Sequence, residues 1–145
     1  VNLTEHFTLD ELTASQIAAR RRIDNTAGPA VVENLRRVAA VLEQVRAAVG
    51  RPITVSSGYR CPALNTAVGG ARDSAHLQGL AADINVSGMA PKDLARTIIA
   101  AGIQFDQLIY EGTWVHIGLA AGKLRGQVLT ATFTQGGVVY SAGIA

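Results

Sequence analysis

The residues best suited to chemistry in this chain are two of its three histidines and the acids near them. His76 lies in Ser74-Ala75-His76-Leu77-Gln78-Gly79-Leu80-Ala81-Ala82-Asp83, where a glycine follows three residues on and an aspartate seven residues on. His116 lies forty residues after His76 in an apolar run. Two imidazoles and one carboxylate are a catalytic zinc set, because three protein donors leave the fourth position of a tetrahedron open. A softer metal would recruit sulfur, and the single cysteine, Cys61, sits beside Pro62 in another segment. Spacing alone leaves two readings open: a shared ion, or a histidine and an aspartate that are hydrogen-bonded structural groups. His6 precedes the first helix signal and reads as a surface residue.

Glu111 and Arg60 are the other candidates. Phe105–Glu111 and Trp114–Leu119 are two β-favouring runs joined by Gly112-Thr113, the Gly-X pattern of a two-residue hairpin turn. In that register Glu111 faces Trp114 and Ile109 faces His116. Glu111 and His116 then share one face as diagonal neighbours, roughly 7–8 Å apart at the backbone, so the glutamate reaches a water held beside the histidine. A slip of one residue would remove that relationship, and a solvated glutamate at a hairpin tip is the plainer reading. Asp106, at the far end of the same strand, is the reserve base. Arg60 has a planar fork that pairs with a carboxylate, such as that of a substrate; a surface arginine capping a turn is the alternative.

The elements that position these residues are legible in outline. Thr8-Leu9-Asp10-Glu11 has the form of a capping box opening a short helix. Pro29 starts a long amphipathic helix in which Val31, Leu35, Val38, Leu42, Val45 and Val49 recur at steps of four and three, stopped by Gly50 and Pro52. Ile53–Ser56 reads as a strand, followed by a loop through Pro62 and an aperiodic stretch from Asn65 to Gly79. Pro91–Ala101 reads as a second amphipathic helix. Val128–Phe133 and Val138–Tyr140, separated by Gln135-Gly136-Gly137, read as a second hairpin. The expected class is α+β, a small antiparallel sheet flanked by helices with the metal site on the sheet face.

A chain of 145 residues that is 48% hydrophobic suits one domain over residues 1–145, with its own core, and is expected to be a monomer. The net charge of +2 is mild, and the basic run Arg20-Arg21-Arg22 has no aromatic neighbours to stack on bases, so no nucleic-acid partner is expected and a solvated helix end is the better reading. One cysteine allows no internal disulfide. VNLTEHFTLDEL lacks the build of a signal peptide, and no run approaches the ~18 apolar residues that a membrane span needs.

The chain resembles the zinc D-alanyl-D-alanine carboxypeptidase family, which includes phage endolysins and vancomycin-resistance dipeptidases. Ser74, His76, Gly79, Ala81 and Asp83 match its SxHxxGxAxD pattern at every fixed position. Ser57-Gly58-Tyr59-Arg60 is similar to its SGYR segment, Asn65 and Gly69-Gly70 extend the similarity, Trp114-Val115-His116 supplies the last histidine, and Phe7–Leu12 is similar to the start of the short phage and prophage members. The resemblance implies Zn2+ on His76, Asp83 and His116, Arg60 near the substrate carboxylate or developing oxyanion, and Ser74 bonding substrate. It implies a peptidoglycan stem peptide as substrate, cut at a terminal D-alanyl-D-alanine or an internal L-alanyl-D-glutamate bond. An endolysin of this kind would be made in the cytoplasm and act at the cell wall. One departure stands out: many relatives carry the catalytic acid three residues before the last histidine, where this chain has Thr113. Glu111, five residues before His116, resembles the short phage-type arrangement. The missing acid keeps open the rival reading of a zinc-containing but non-catalytic wall-binding or virion module.

Overall fold

The computed structural model describes residues 1–144, and its central feature is a six-stranded sheet. The strands are β1 (Thr54–Ser57), β2 (Ala81–Asn85), β3 (Gln107–Tyr110), β4 (Val115–Gly118), β5 (Gln127–Thr134) and β6 (Gly137–Ala142), in the spatial order β1-β2-β4-β3-β5-β6. All neighbours are antiparallel except β3 and β5, which run parallel. The helices are α1 (Leu9–Thr13), α2 (Gln16–Arg21), α3 (Pro29–Val49), α4 (Pro62–Ala67) and α5 (Pro91–Ala100). The class is α+β, as expected from the sequence.

Period-two alternation divides the sheet into two faces with different tasks. Ala82 and Ile84 of β2, Leu108 of β3, and Val115 and Ile117 of β4 pair across the ladders and join one apolar cluster with Leu35, Val38, Leu42 and Val45 of α3 and Leu94 and Ile98 of α5. The apolar stripe of α3 therefore covers the sheet, as its periodicity predicts. Burying such side chains contributes about 1.5–3 kcal/mol each, which anchors the strands as a rigid scaffold. The intervening residues Asp83, Ile109 and His116 point to the opposite face.

The capping box is present in full: Thr8 Oγ1 accepts from the Glu11 N–H at 3.1 Å, and the Glu11 carboxylate accepts from the Thr8 N–H at 3.4 Å. Three elements lie where the sequence reading placed loops or nothing. α2 is capped by Ser15, whose side chain accepts from the Ala18 N–H, and Arg20 and Arg21 form its last turn. α4 begins at Pro62. β2 places Asp83 on a strand, in a stretch of five residues paired between β1 and β4 that is too short to stand out in the sequence.

Asn25 ties the N-terminal segment to the loop that precedes α4. Its amide nitrogen donates to the carbonyls of Thr13 and Tyr59, both at 2.9 Å, and its oxygen accepts from the Cys61 N–H at 2.8 Å. No helix among the described residues is long and apolar enough to cross a membrane.

Candidate metal centre

Asp83 on β2 stands directly opposite His116 on β4, which in turn stands opposite Ile109 on β3. Cross-strand partners share a face, so the sheet itself sets the carboxylate beside the imidazole. His76 arrives from outside the sheet, on a 3₁₀ turn over Ala75–Gln78 that Ser74 caps by accepting from the His76 N–H at 3.2 Å. Asp83 Oδ1 lies 3.0 Å from His116 Nδ1 and 3.3 Å from His76 Nε2. The two rings meet edge to face with centroids 5.1 Å apart.

The His76 imidazole is held in a fixed orientation. His76 Nδ1 lies 2.6 Å from the carbonyl oxygen of Gly58, to which it donates its proton, and this turns Nε2 toward Asp83. Gly58 can offer that carbonyl because it has no side chain: a Cβ there would lie 2.2 Å from the carbonyl oxygen of Leu12 in α1. The N-terminal helix, the SGYR segment and the first histidine are thereby locked together. Burial, the largest single influence on Asp83, pushes its pKa up, but hydrogen bonds and charge from His116 and His76 outweigh it and hold the carboxyl well below the ordinary range.

These donors fit zinc. One ligand atom from each of His76, Asp83 and His116 lies within 4.8 Å of the others. Tetrahedral coordination at 2.0–2.1 Å requires donor atoms roughly 3.3 Å apart, close to the two spacings centred on Asp83 Oδ1.

The donors lie in a cleft of about 900 Å³ that Arg60, Ser74 and Glu111 also line. Arg60 Nη2 donates to Ser74 Oγ at 3.2 Å, while its Nε is buried with no hydrogen-bond partner among the described residues. A buried guanidinium nitrogen without a partner is costly, and here it belongs to a side chain that faces a cleft. Burial lowers the Arg60 pKa, opposed by the charges of Asp83 and Glu111. Ser74, read from sequence as a substrate contact, holds both Arg60 and the His76 backbone.

The hairpin register expected from Gly112-Thr113 is the one found. Ile109 pairs with His116, the Glu111 N–H donates to the Trp114 carbonyl at 3.0 Å, and Gly112 takes φ 85°, which the first position of such a turn requires. Glu111 is half-buried, and burial and the negative charge of Asp83 raise its pKa; His116, the Trp114 indole and Arg60 oppose the rise. Asp106 lines the same cleft but is bound by Arg125, whose backbone N–H, Nε and Nη2 donate to it at 3.1, 3.0 and 2.8 Å. Those bonds hold the Asp106 carboxyl below its usual range, which makes it a poor proton acceptor. His6 lies elsewhere, against Glu43 at 2.7 Å. Sequence reasoning missed the Gly58 carbonyl, the Trp114–Glu111 bond and the Arg125 clamp; the first two lie in segments that the sequence singles out, and only Arg125 lies in none.

The peptidase M15 family model matches residues 5–118, a stretch that contains every one of these groups except Arg125. The chain belongs to the peptidase M15 family. This is the zinc peptidase family that the SxHxxGxAxD and SGYR segments resemble, and the three donors are spaced as a zinc site requires. No curated protein matches the chain.

Proposed function

We propose that this M15 peptidase hydrolyses peptide bonds of peptidoglycan stem peptides, with zinc held by His76, Asp83 and His116. The observation that carries the reading is the meeting of that donor set with a desolvated carboxylate, Glu111, and a cationic fork, Arg60, in one cleft. Zinc on these donors supplies Lewis acidity, polarising the scissile carbonyl and making water a nucleophile near neutral pH. Glu111 accepts the proton of the attacking water and returns it to the leaving amine nitrogen, a task for which burial has already raised its basicity. Arg60 binds the substrate carboxylate or the oxygen on which negative charge develops, and Ser74 fixes the direction of its fork.

The bond cut is a terminal D-alanyl-D-alanine or an internal L-alanyl-D-glutamate link, and the similarity to short phage-type members supports an endolysin role at the cell wall. The test is incubation of the zinc-loaded protein with purified peptidoglycan and mass analysis of the released fragments. New amino termini at either bond, abolished by chelation and restored by zinc, are expected. Zinc binding at full occupancy with no hydrolysis of wall or of synthetic stem peptides would instead establish the non-catalytic module.

A further inference from the structure

The family match ends at residue 118, whereas β5 begins at Gln127, yet the β5–β6 hairpin walls the same cleft as the three donors. Register explains how. Parallel pairing sets Leu129 beside Ile109, which is beside His116; antiparallel pairing sets Tyr140 opposite Ala131 and Val138 opposite Phe133. One sheet face therefore runs from Asp83 and His116 across Ile109 and Leu129 to Phe133 and Tyr140. The Trp114 and Phe133 rings are 6.3 Å apart, so this wall reaches the residue that holds Glu111.

Two properties define what fits there. The wall carries no formal charge: Leu129, Ala131, Phe133, Val138 and Tyr140 are apolar or aromatic. It is also open, with Phe133 and Tyr140 more than half exposed, at 56% and 54%. Arg60, which has no carboxylate within ion-pair distance among the described residues, is on the other side, following β1 at the opposite edge of the sheet, whereas Arg125 beside β5 is neutralised by Asp106. A substrate that places its carboxylate at Arg60 and its scissile carbonyl at the donors lays its acyl side across the hairpin.

Strands lie about 4.8 Å apart, so β5 and β6 stand roughly 10 and 14 Å from β4. One amino acid spans about 3.5 Å, and one amino acid with a short acyl linker covers about half the distance to β6. In an L-alanyl-D-glutamate bond the acyl side is one alanine, a lactyl linker and then a neutral N-acetylated amino sugar. In the terminal bond it is a peptide bearing ionised groups, which an uncharged wall does not match. Aromatic faces bury the C–H face of a ring while its polar rim stays wet.

We propose that Phe133 and Tyr140 form a specificity-determining platform for the amino sugar on the acyl side of an L-alanyl-D-glutamate bond. This rests on the peptidase reading above. The test compares hydrolysis of N-acetylmuramoyl-L-alanyl-D-glutamate with that of N-acetyl-L-alanyl-D-glutamate by the zinc-loaded chain. At least a tenfold preference in kcat/KM for the sugar-bearing substrate is expected. F133A/Y140A should abolish that preference by raising KM for the sugar-bearing substrate alone. Val139→Ala is the control, since Val139 is equally exposed, at 57%, but points to the opposite face. Equal losses on both substrates, or no loss on either, would overturn the platform. Binding separates this from failure of the peptidase reading: an E111Q chain is titrated with the muramoyl compound while the fluorescence of Trp114, the chain's single tryptophan, is followed. Binding weakened at least tenfold by F133A/Y140A supports the platform even without turnover, and binding indifferent to those changes rejects it even with turnover.

Discussion

The Trp114 indole N–H donates to Glu111 Oε2 across 3.2 Å, linking the two residues that flank the Gly112-Thr113 turn. The bond holds the carboxylate of a hairpin tip, ordinarily a mobile position, against the sheet face that carries His116 and Asp83. It leaves Glu111 Oε1 to act on substrate. Replacing Trp114 with Phe keeps the ring and removes the donor, so kcat is expected to fall while zinc affinity stays within a few-fold, as isothermal titration would show.

Glu111→Gln removes the proton acceptor while preserving shape, and turnover should drop by the 10²–10⁴ typical of general-base catalysis. Asp106→Asn should keep zinc and most activity, because Asp106 is engaged by Arg125. Activity lost in the second variant and retained in the first would reverse the assignment.

The raised pKa of Glu111 has a consequence for stability in the metal-free protein. A carboxyl whose folded value lies above its unfolded value stabilises the fold while both states are protonated and loses that contribution as pH rises through the folded value. Metal-free Glu111→Gln should therefore melt higher than the parent at pH 7, with the gap closing below about pH 4. A gap that widened on acidification would contradict this.

Asp106 has the opposite sign. Its lowered folded value, caused first by the Arg125 side chain, contributes stability above the ordinary carboxylate pKa of about 3.9 that is lost as pH falls through the folded value. Arg125 is exposed and solvent screens the pair, so the effect is small. Acid titrations of Asp106→Asn followed by circular dichroism should show a flatter stability profile below pH 4 than the parent.

Gly58→Ala is expected to be severe. The new Cβ would collide with the Leu12 carbonyl at 2.2 Å and displace the oxygen that orients His76. A loss of about 2–4 kcal/mol in denaturant unfolding and of 10–100-fold in zinc affinity is expected. A variant with parental affinity would show that His76 needs no orienting partner.

Much of this is legible in the sequence. The α3 stripe, the Thr8–Glu11 capping box and the Gly112-Thr113 turn are local devices, written in consecutive residues, and each was found in its expected place. The shared face of Glu111 and His116 followed from the turn alone. β2 was not legible, because Ala81–Asn85 is short, opens on two alanines and offers only Ala82 and Ile84 against Asp83 and Asn85 as alternation, and α4 was hidden by its brevity. The Arg125 clamp depends on β5 returning parallel to β3, a long-range pairing that no local pattern announces.

That parallel return also decides where the sheet stops. β3 holds Leu108 and Ile109, both buried, between β4 and β5. Were the chain cut after Leu119, β3 would become a bare apolar border with a full row of unpaired amides, the kind of surface on which one molecule recruits the next. β5–β6 moves that border out to Gly137–Ala142, whose exposed Val138, Val139 and Tyr140 make the hairpin itself the apolar edge of the sheet.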